Sequence, residues 1–402
     1  MTVTVQKSIA NGTVYAPPSK SAAHRALICG AFTSGSVIKN VAFSKDISAT
    51  LDCLKMLGAT VCVSGDTVKI GGLNIENLKS DNELFCNESG STLRFLLPVC
   101  MLREENITLC GTQKLLSRPL CAYEKICQEQ KIFFNKNNTS VTVGGSLKSG
   151  EYVIAGDISS QFITGLLFVL PLLTGDSKII VTGKFESESY VDLTIEMLSL
   201  FGVAAKKEKN EIYIKGGQKY SPATVTVEGD CSNAAFLDAF NLLGGEVSVE
   251  GIFENTTQGD YVYKAMFSAL KSGEREFCLS DCPDLAPVMF ALSAVFGGAH
   301  FVGTRRLKIK ESDRGEAMKA ELAKFGASLI IGEDEITVCV ESLHAPTAPL
   351  CSHNDHRIVM ALTLLCSVYG GKIEGAQAVE KSYPDFFQKI KTLGIGIIED
   401  DT

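Results

Sequence analysis

Two kinds of hydrophobic pattern alternate along the chain. The first is an amphipathic helical stretch that runs into a glycine and then into two short alternating segments, a helix followed by a β-hairpin. TLDCLKMLGATVCVSGDTVKIGG is its clearest copy, with Gly58 where a helix C-cap belongs. TIEMLSLFGVAAKKEKNEIYIKGG repeats it around Gly202, 144 positions later, and MKAELAKFGASLIIGEDEITVCV and FFQKIKTLGIGIIED repeat it at Gly326 and Gly394. AYEKICQEQKIFFNKNNTSVTVGG lacks the glycine, and YVYKAMFSALKSGEREFCLS has lost most of its hairpin.

The second pattern is apolar nearly all round. SKSAAHRALICGAF, SGSTLRFLLPVCML, SSQFITGLLFVLPLL, CSNAAFLDAFNLLGG, PDLAPVMFALSAVFGG and DHRIVMALTLLCSVYGG carry it. A helix without a polar face belongs inside a domain. Six copies of the paired unit therefore predict two domains of three repeats each. From Gly58 to the next apolar helix at Gly90 is 32 residues, and from Gly202 to Asp230 is 28. Only eight residues follow Gly394, but the twenty up to Lys20 bring that interval to 28 as well. The segments TVTVQK and GTVYAP are thus expected to complete the sixth hairpin. The expected first domain is 18–227, and the second is 1–17 with 228–402, closed by the N-terminal strands.

Composition sharpens the picture. The 402 residues are 45% hydrophobic and 21% charged, with a formal net charge of -8, an ordinary balance for a globular chain. A pI near 5.4 argues against a general nucleic-acid binder, and no nucleic-acid partner is expected. The apolar runs are too short and interrupted to span a bilayer, and the start MTVTVQKSIA is not a secretory signal. A cytoplasmic protein without a membrane partner is expected, with a monomer as the default. Fourteen cysteines are scattered, many inside apolar runs, and only Cys278 and Cys282 have a metal-like spacing. They read as reduced thiols, and no metal is expected.

The apolar helices open on Lys20-Ser21, Ser89-Gly90-Ser91, Ser159-Ser160-Gln161, Asp230-Cys231-Ser232, Asp284 and Asp355-His356-Arg357. Ser and Asp at such positions cap free amides. Capping requires no Lys, Gln, His or Arg, however, and free amides with the dipole make each start suited to anions. The stretch RRLKIKESDR adds five cations within ten residues, around Glu311. It fits either a solvated loop leading into a helix or an anion site.

Nine segments in order, PPSKSAAHRAL, ESGSTLRFL, the SRP of LLSRPL, GDISSQFITGLL, ESESYVDLT, PDLAP, KIKESDR, NDHRIVMAL and VEKSYPDFF, resemble the 5-enolpyruvylshikimate-3-phosphate synthases. The resemblance implies an α/β fold of two similar domains, each of three βαβαββ repeats with buried parallel helices, an inside-out α/β barrel. It places the active site in the interdomain cleft. It implies transfer of the carboxyvinyl group of phosphoenolpyruvate to the 5-hydroxyl of shikimate 3-phosphate, in aromatic amino acid biosynthesis, without a cofactor. The implied shikimate 3-phosphate ligands are Lys20, Ser21, Arg25, Ser159, Ser160, Gln161, Ser187, Tyr190, Asp284, Arg306 and Lys310. Those of phosphoenolpyruvate are Lys20, Gly90, Arg118, Gln161, Arg314, Arg357 and Lys381.

By the same resemblance Asp284 is the hydroxyl base and Glu311 the proton donor to the vinyl carbon, with Lys20 sharing proton transfer and His356 in a supporting place. A carboxylate among cations stays ionised until anionic substrates offset them. The chain departs from the family at Pro18, Glu88, Ser91 and Arg306. Two rivals stay open: an enolpyruvyl transferase acting on UDP-N-acetylglucosamine, which uses a loop cysteine that GTQKLLSRP lacks, and a non-catalytic anion-binding repeat scaffold.

Overall fold

The computed structural model describes residues 1–78 and 83–400. The chain forms two compact units, Pro18–Glu228 and Met1–Pro17 with Gly229–Thr402. Among the described residues no helix is long and apolar enough to cross a membrane.

In the unit 18–228 three core helices, Lys20–Ala31, Gly90–Cys100 and Ser160–Val169, are buried on every side. Their apolar sequences explain this, since no face of them gains from water. Around them stand three four-stranded sheets of one design. A leading strand pairs in parallel with the strand after the core helix, and that strand pairs with an antiparallel hairpin. In the first sheet Thr224–Thr226 lies parallel to Ser36–Lys39, followed by Thr67–Gly71 and Thr60–Ser64. The second orders Leu84–Phe85, Ile107–Cys110, Ser140–Gly144 and Phe133–Lys136. The third orders Glu151–Ala155, Ser177–Thr182, Glu211–Ile214 and Ala205–Glu208. The amphipathic helices Lys45–Leu57, Cys121–Gln130 and Glu188–Leu200 precede each hairpin. Gly58 ends the first at φ 113°, a left-handed cap that glycine adopts without steric cost. In the copy without glycine, Lys131 takes that conformation, at φ 59°.

The other unit is built likewise on core helices Cys231–Leu242, Ala286–Val295 and His356–Tyr369. Its fifth-repeat sheet orders Glu276–Cys278, Ala299–Val302, Glu335–Val340 and Ala327–Ile331. The sixth orders Leu350–Cys351, Gly371–Glu374, Thr2–Val5 and Ile397–Asp400. The fourth repeat keeps two strands, Asn11–Tyr15 parallel to Glu246–Glu250. After its helix Tyr263–Lys271 the chain passes directly into Glu276–Cys278, the leading strand of the next sheet.

One expectation needs correction here. Thr2–Val5 does take the hairpin place in the sixth sheet, but the second N-terminal segment does not join it. Asn11–Tyr15 instead leads the fourth repeat. The physical reason is the βαβ rule: the strand after Cys231–Leu242 needs a parallel neighbour that precedes the core helix. At each passage between units the leading strand stays in the unit the chain is leaving. Thr224–Thr226 therefore serves repeat one, and Asn11–Tyr15 serves repeat four.

Candidate active site

In the unit 18–228 the core-helix starts carry the sequence-flagged residues. Ser19, not Ser21, caps the first helix by accepting from the Ala22 amide. Lys20 then extends to Asp46, Nζ to Oδ2 at 2.8 Å. Arg25, one turn further on, is 2% exposed. Its Nε donates to Thr194 Oγ1 at 2.8 Å, and its amino groups donate to the carbonyls of Ser21 at 2.7 Å and Tyr190 at 3.0 Å. The guanidinium lies 5.3 Å from the centroid of the Phe95 ring and 6.0 Å from that of Tyr190. Burial lowers its pKa to about 10, which leaves it charged at neutral pH.

Gly90 opens the second core helix behind Ser89, whose hydroxyl accepts from the Thr92 amide. A Cβ on Gly90 would stand 2.9 Å from an amino nitrogen of Arg118, so the glycine gives that side chain its place. Gln161 lies alongside, accepting from Arg94 at 2.7 Å and donating to Ser91 at 3.1 Å. Ser159 caps the third core helix through the Gln161 amide, and Ser160 is buried beside it. Ser187 is held at φ 55° immediately before the helix that carries Tyr190.

In the other unit the flagged residues meet on one carboxylate. Asp284 accepts from Arg314 at 2.8 Å and from Arg357 at 3.0 Å, with Lys310 at 3.3 Å. Asp284 does not cap its helix: Ala286–Val295 has no side-chain cap. The short 3-10 turn Pro283–Leu285 sets the carboxylate before the helix, where it meets cations instead of amides. Arg314, 1% exposed, also donates to Glu311 at 2.8 Å and to Asp355 at 3.0 Å. Asp313 caps the following helix through the Glu316 amide, while Ser312 donates to Asp355 at 3.0 Å. The stretch RRLKIKESDR thus serves as both helix start and charge cluster. Asp355 caps the last core helix at the Arg357 amide, and Asp230 caps the fourth at Asn233. Arg357 also donates to Ser232 at 2.8 Å.

Burial alone would raise the Asp284 pKa, but Arg357, Lys310 and Arg314 outweigh it and hold the carboxyl well below its usual value. Burial lowers the Lys310 pKa, only partly offset by Asp284. Three residues stand apart from that carboxylate. Lys381 donates to the Asn354 carbonyl at 2.7 Å, Arg306 donates to the Ser280 carbonyl, and His356 is buried 3.9 Å from Asp355.

Sequence reasoning passed over Asp46 and Arg94. Asp46 sits in a first turn, where an acid is ordinary, so nothing set it apart. Arg94 had a signal, a lone cation inside the apolar run STLRFLLPVC, now seen to be buried and bonded to Gln161 and the Pro119 carbonyl.

In the unit that holds Asp284, cations, capped helix starts and an ionised carboxylate beside a depressed lysine can bind anions and move a proton. The family model for EPSP synthase (3-phosphoshikimate 1-carboxyvinyltransferase) matches residues 5–390. A 3-phosphoshikimate 1-carboxyvinyltransferase of Clostridium kluyveri is 41% identical, the match covering 98% of this chain and 97% of the relative. One from Clostridium perfringens is 40% identical, with 99% of each covered. An EPSP synthase structure from Acinetobacter baumannii shares the fold with a TM-score of 0.79 at 22% identity, over 99% of this chain and 100% of that one. The enolpyruvyl transferase NikO from Streptomyces tendae has the same TM-score at 14% identity, over 100% and 99%. The chain belongs to the EPSP synthase family of 3-phosphoshikimate 1-carboxyvinyltransferases.

Proposed function

We propose that the protein transfers the 1-carboxyvinyl group of phosphoenolpyruvate to the 5-hydroxyl of shikimate 3-phosphate and releases inorganic phosphate. The observation that carries the reading is the convergence of Lys310, Arg314 and Arg357 on Asp284, with Glu311 on the same arginine. An anion site needs the cations, but it does not need two carboxylates among them. Two carboxylates there can supply the base for the hydroxyl and the acid for the vinyl carbon.

Shikimate 3-phosphate is assigned to Ser159, Ser160, Ser187, Ser21 and Arg25, with Tyr190, Gln161 and Arg306 nearby. The hydroxyls and the fork of Arg25 suit a phosphate and a carboxylate. Phosphoenolpyruvate is assigned to Gly90, Arg118, Gln161, Arg314, Arg357 and Lys381, with Lys20 serving both ligands. As the 5-oxygen bonds to C2 of phosphoenolpyruvate, its proton passes to Asp284 while Lys310 holds the oxygen. Glu311 protonates C3, giving a tetrahedral intermediate. The ionised Glu311 then takes a proton back from that methyl group as the C2–O bond to phosphate breaks, and phosphate leaves with the proton held by Asp284, which regenerates the double bond and both groups. Asp284 and Glu311 gain proton affinity when the substrates' charges draw on Arg314, Arg357 and Lys310.

We further infer a monomer acting in the cytoplasm on these two small anions, which light scattering and cell fractionation would check. The central test incubates the purified protein with phosphoenolpyruvate and either shikimate 3-phosphate or UDP-N-acetylglucosamine, without added metal. Phosphate release only with shikimate 3-phosphate is expected. Release only with the nucleotide sugar would overturn the substrate, and release with neither would leave a binding scaffold.

A further inference from the structure

One buried acid has no part in the chemistry above. Glu321 lies on the helix Arg314–Ala323 and is 1% exposed. Its Oε2 accepts from Lys324 Nζ at 2.8 Å and from the Cys351 amide at 2.9 Å. Its Oε1 is 2.9 Å from His353 Nε2. A carboxylate only accepts, so the imidazole carries its proton on Nε2. Burial alone would raise the Glu321 pKa, but His353, Lys324 and the Cys351 amide lower it below the usual range, so the group is charged.

What these bonds hold is a strained loop. Between the strand Leu350–Cys351 and the helix His356–Tyr369, two consecutive residues other than glycine are left-handed: His353 at φ 49° and Asn354 at φ 54°. Each is unfavourable alone and persists only where the surroundings enforce it. The helix Arg314–Ala323 grips both ends of the loop. Glu321 takes Cys351 and His353, while Arg314, seven residues earlier on the same helix, takes Asp355 at 3.0 Å. From inside the grip, the Asn354 carbonyl receives Lys381 and the Asp355 carboxylate receives the Arg357 amide.

We propose that Glu321 is a positioning residue for phosphoenolpyruvate: by fixing the loop Cys351–Asp355 it sets the places of Arg357 and Lys381. This rests on the assignment of those two cations in the proposed function. The competing account makes Glu321 a purely structural ion pair.

The two accounts separate in kinetics. Glu321→Ala should raise KM for phosphoenolpyruvate about tenfold or more, since small misplacements of binding groups have effects of that size. KM for shikimate 3-phosphate and kcat should stay within about threefold, the signature of lost binding rather than lost chemistry. Glu321→Gln should return KM to within about threefold of wild type, because its carbonyl accepts from Cys351 and its amide donates to the other imidazole tautomer. His353→Gly relieves the strain and removes the imidazole, so Glu321→Ala added to it should raise KM by less than it does alone.

Hydrogen exchange at the amides of residues 351–357 should quicken in Glu321→Ala. A lower melting temperature with every KM unchanged would overturn the proposal. Should Glu321→Ala fail to fold, Glu321→Asp, whose shorter side chain cannot keep both the Cys351 amide and His353, carries the test: unchanged KM for phosphoenolpyruvate with unchanged exchange would overturn the proposal equally. If the wild type releases no phosphate from the two substrates, the proposed function fails instead. The inference then stands only if phosphoenolpyruvate alone raises the wild-type melting temperature and does so less in the variant.

Discussion

Arg25 in one unit and Arg314 in the other are held in opposite ways. In the unit 18–228, Arg25 and Arg94 are satisfied by neutral acceptors, namely threonine hydroxyls, main-chain carbonyls and the Gln161 amide. In the other, Arg314 faces three carboxylates, and Asp284 faces three cations. Neutral partners leave a net positive charge, which suits holding an anion. Carboxylate partners cancel charge, and leave groups whose proton affinity shifts when a ligand displaces the balance. The repeats built two frames of one design, and the side chains at their helix starts differ in the charge of the partners they meet.

Glu311→Gln breaks the comparison most severely. It should lower kcat by roughly 10²–10⁴-fold, the usual worth of a positioned acid or base. Calorimetric binding of shikimate 3-phosphate should persist, and an unchanged kcat would remove Glu311 from the mechanism. Next comes stability. Arg314→Met leaves three buried or half-buried carboxylates facing one another, an expected loss of about 3–5 kcal/mol. Arg25→Met leaves only neutral acceptors unpaired and should cost about 1–3 kcal/mol. Calorimetric melting of the two variants would rank them, and equal losses would erase the distinction.

Acid should expose the same contrast. Asp284 and Asp355 have folded pKa values below the ordinary 3.8. Their stabilisation is therefore complete above that value and is lost as pH falls through the depressed ones. The unit with the carboxylates should unfold first in an acid titration followed by hydrogen exchange. Asp355→Asn should flatten that loss.

Smaller effects probe geometry. Gly90→Ala puts a methyl group 2.9 Å from Arg118, a movable side-chain tip. It should raise KM for phosphoenolpyruvate about tenfold, equivalent to about 1.4 kcal/mol, with little change in melting temperature. Lys131→Gly, at the helix end that lacks the usual glycine, should stabilise by about 0.5–1 kcal/mol through relief of the left-handed strain, read from denaturant midpoints.

The repeat was legible in the sequence because its signals are local: a period of 3.6 with a terminal glycine, a period of 2, and helices with no polar face. Family motifs likewise pointed to Arg314, Lys310 and Asp284 without coordinates. Local pattern does not say which strand pairs with which. That is why Asn11–Tyr15 was assigned to the sixth hairpin when it leads the fourth repeat. Partners brought together from distant segments were equally invisible: Asp46 under Lys20, Thr194 under Arg25 across 169 positions, and Glu321 under His353. Sequence by itself determined which segments must be buried helix, hairpin or polar helix start, since those follow from side-chain chemistry within a few residues. Only the tertiary structure decided which acid meets which cation, because hydrogen bonds and Coulomb energy depend on distances that the folded chain alone sets.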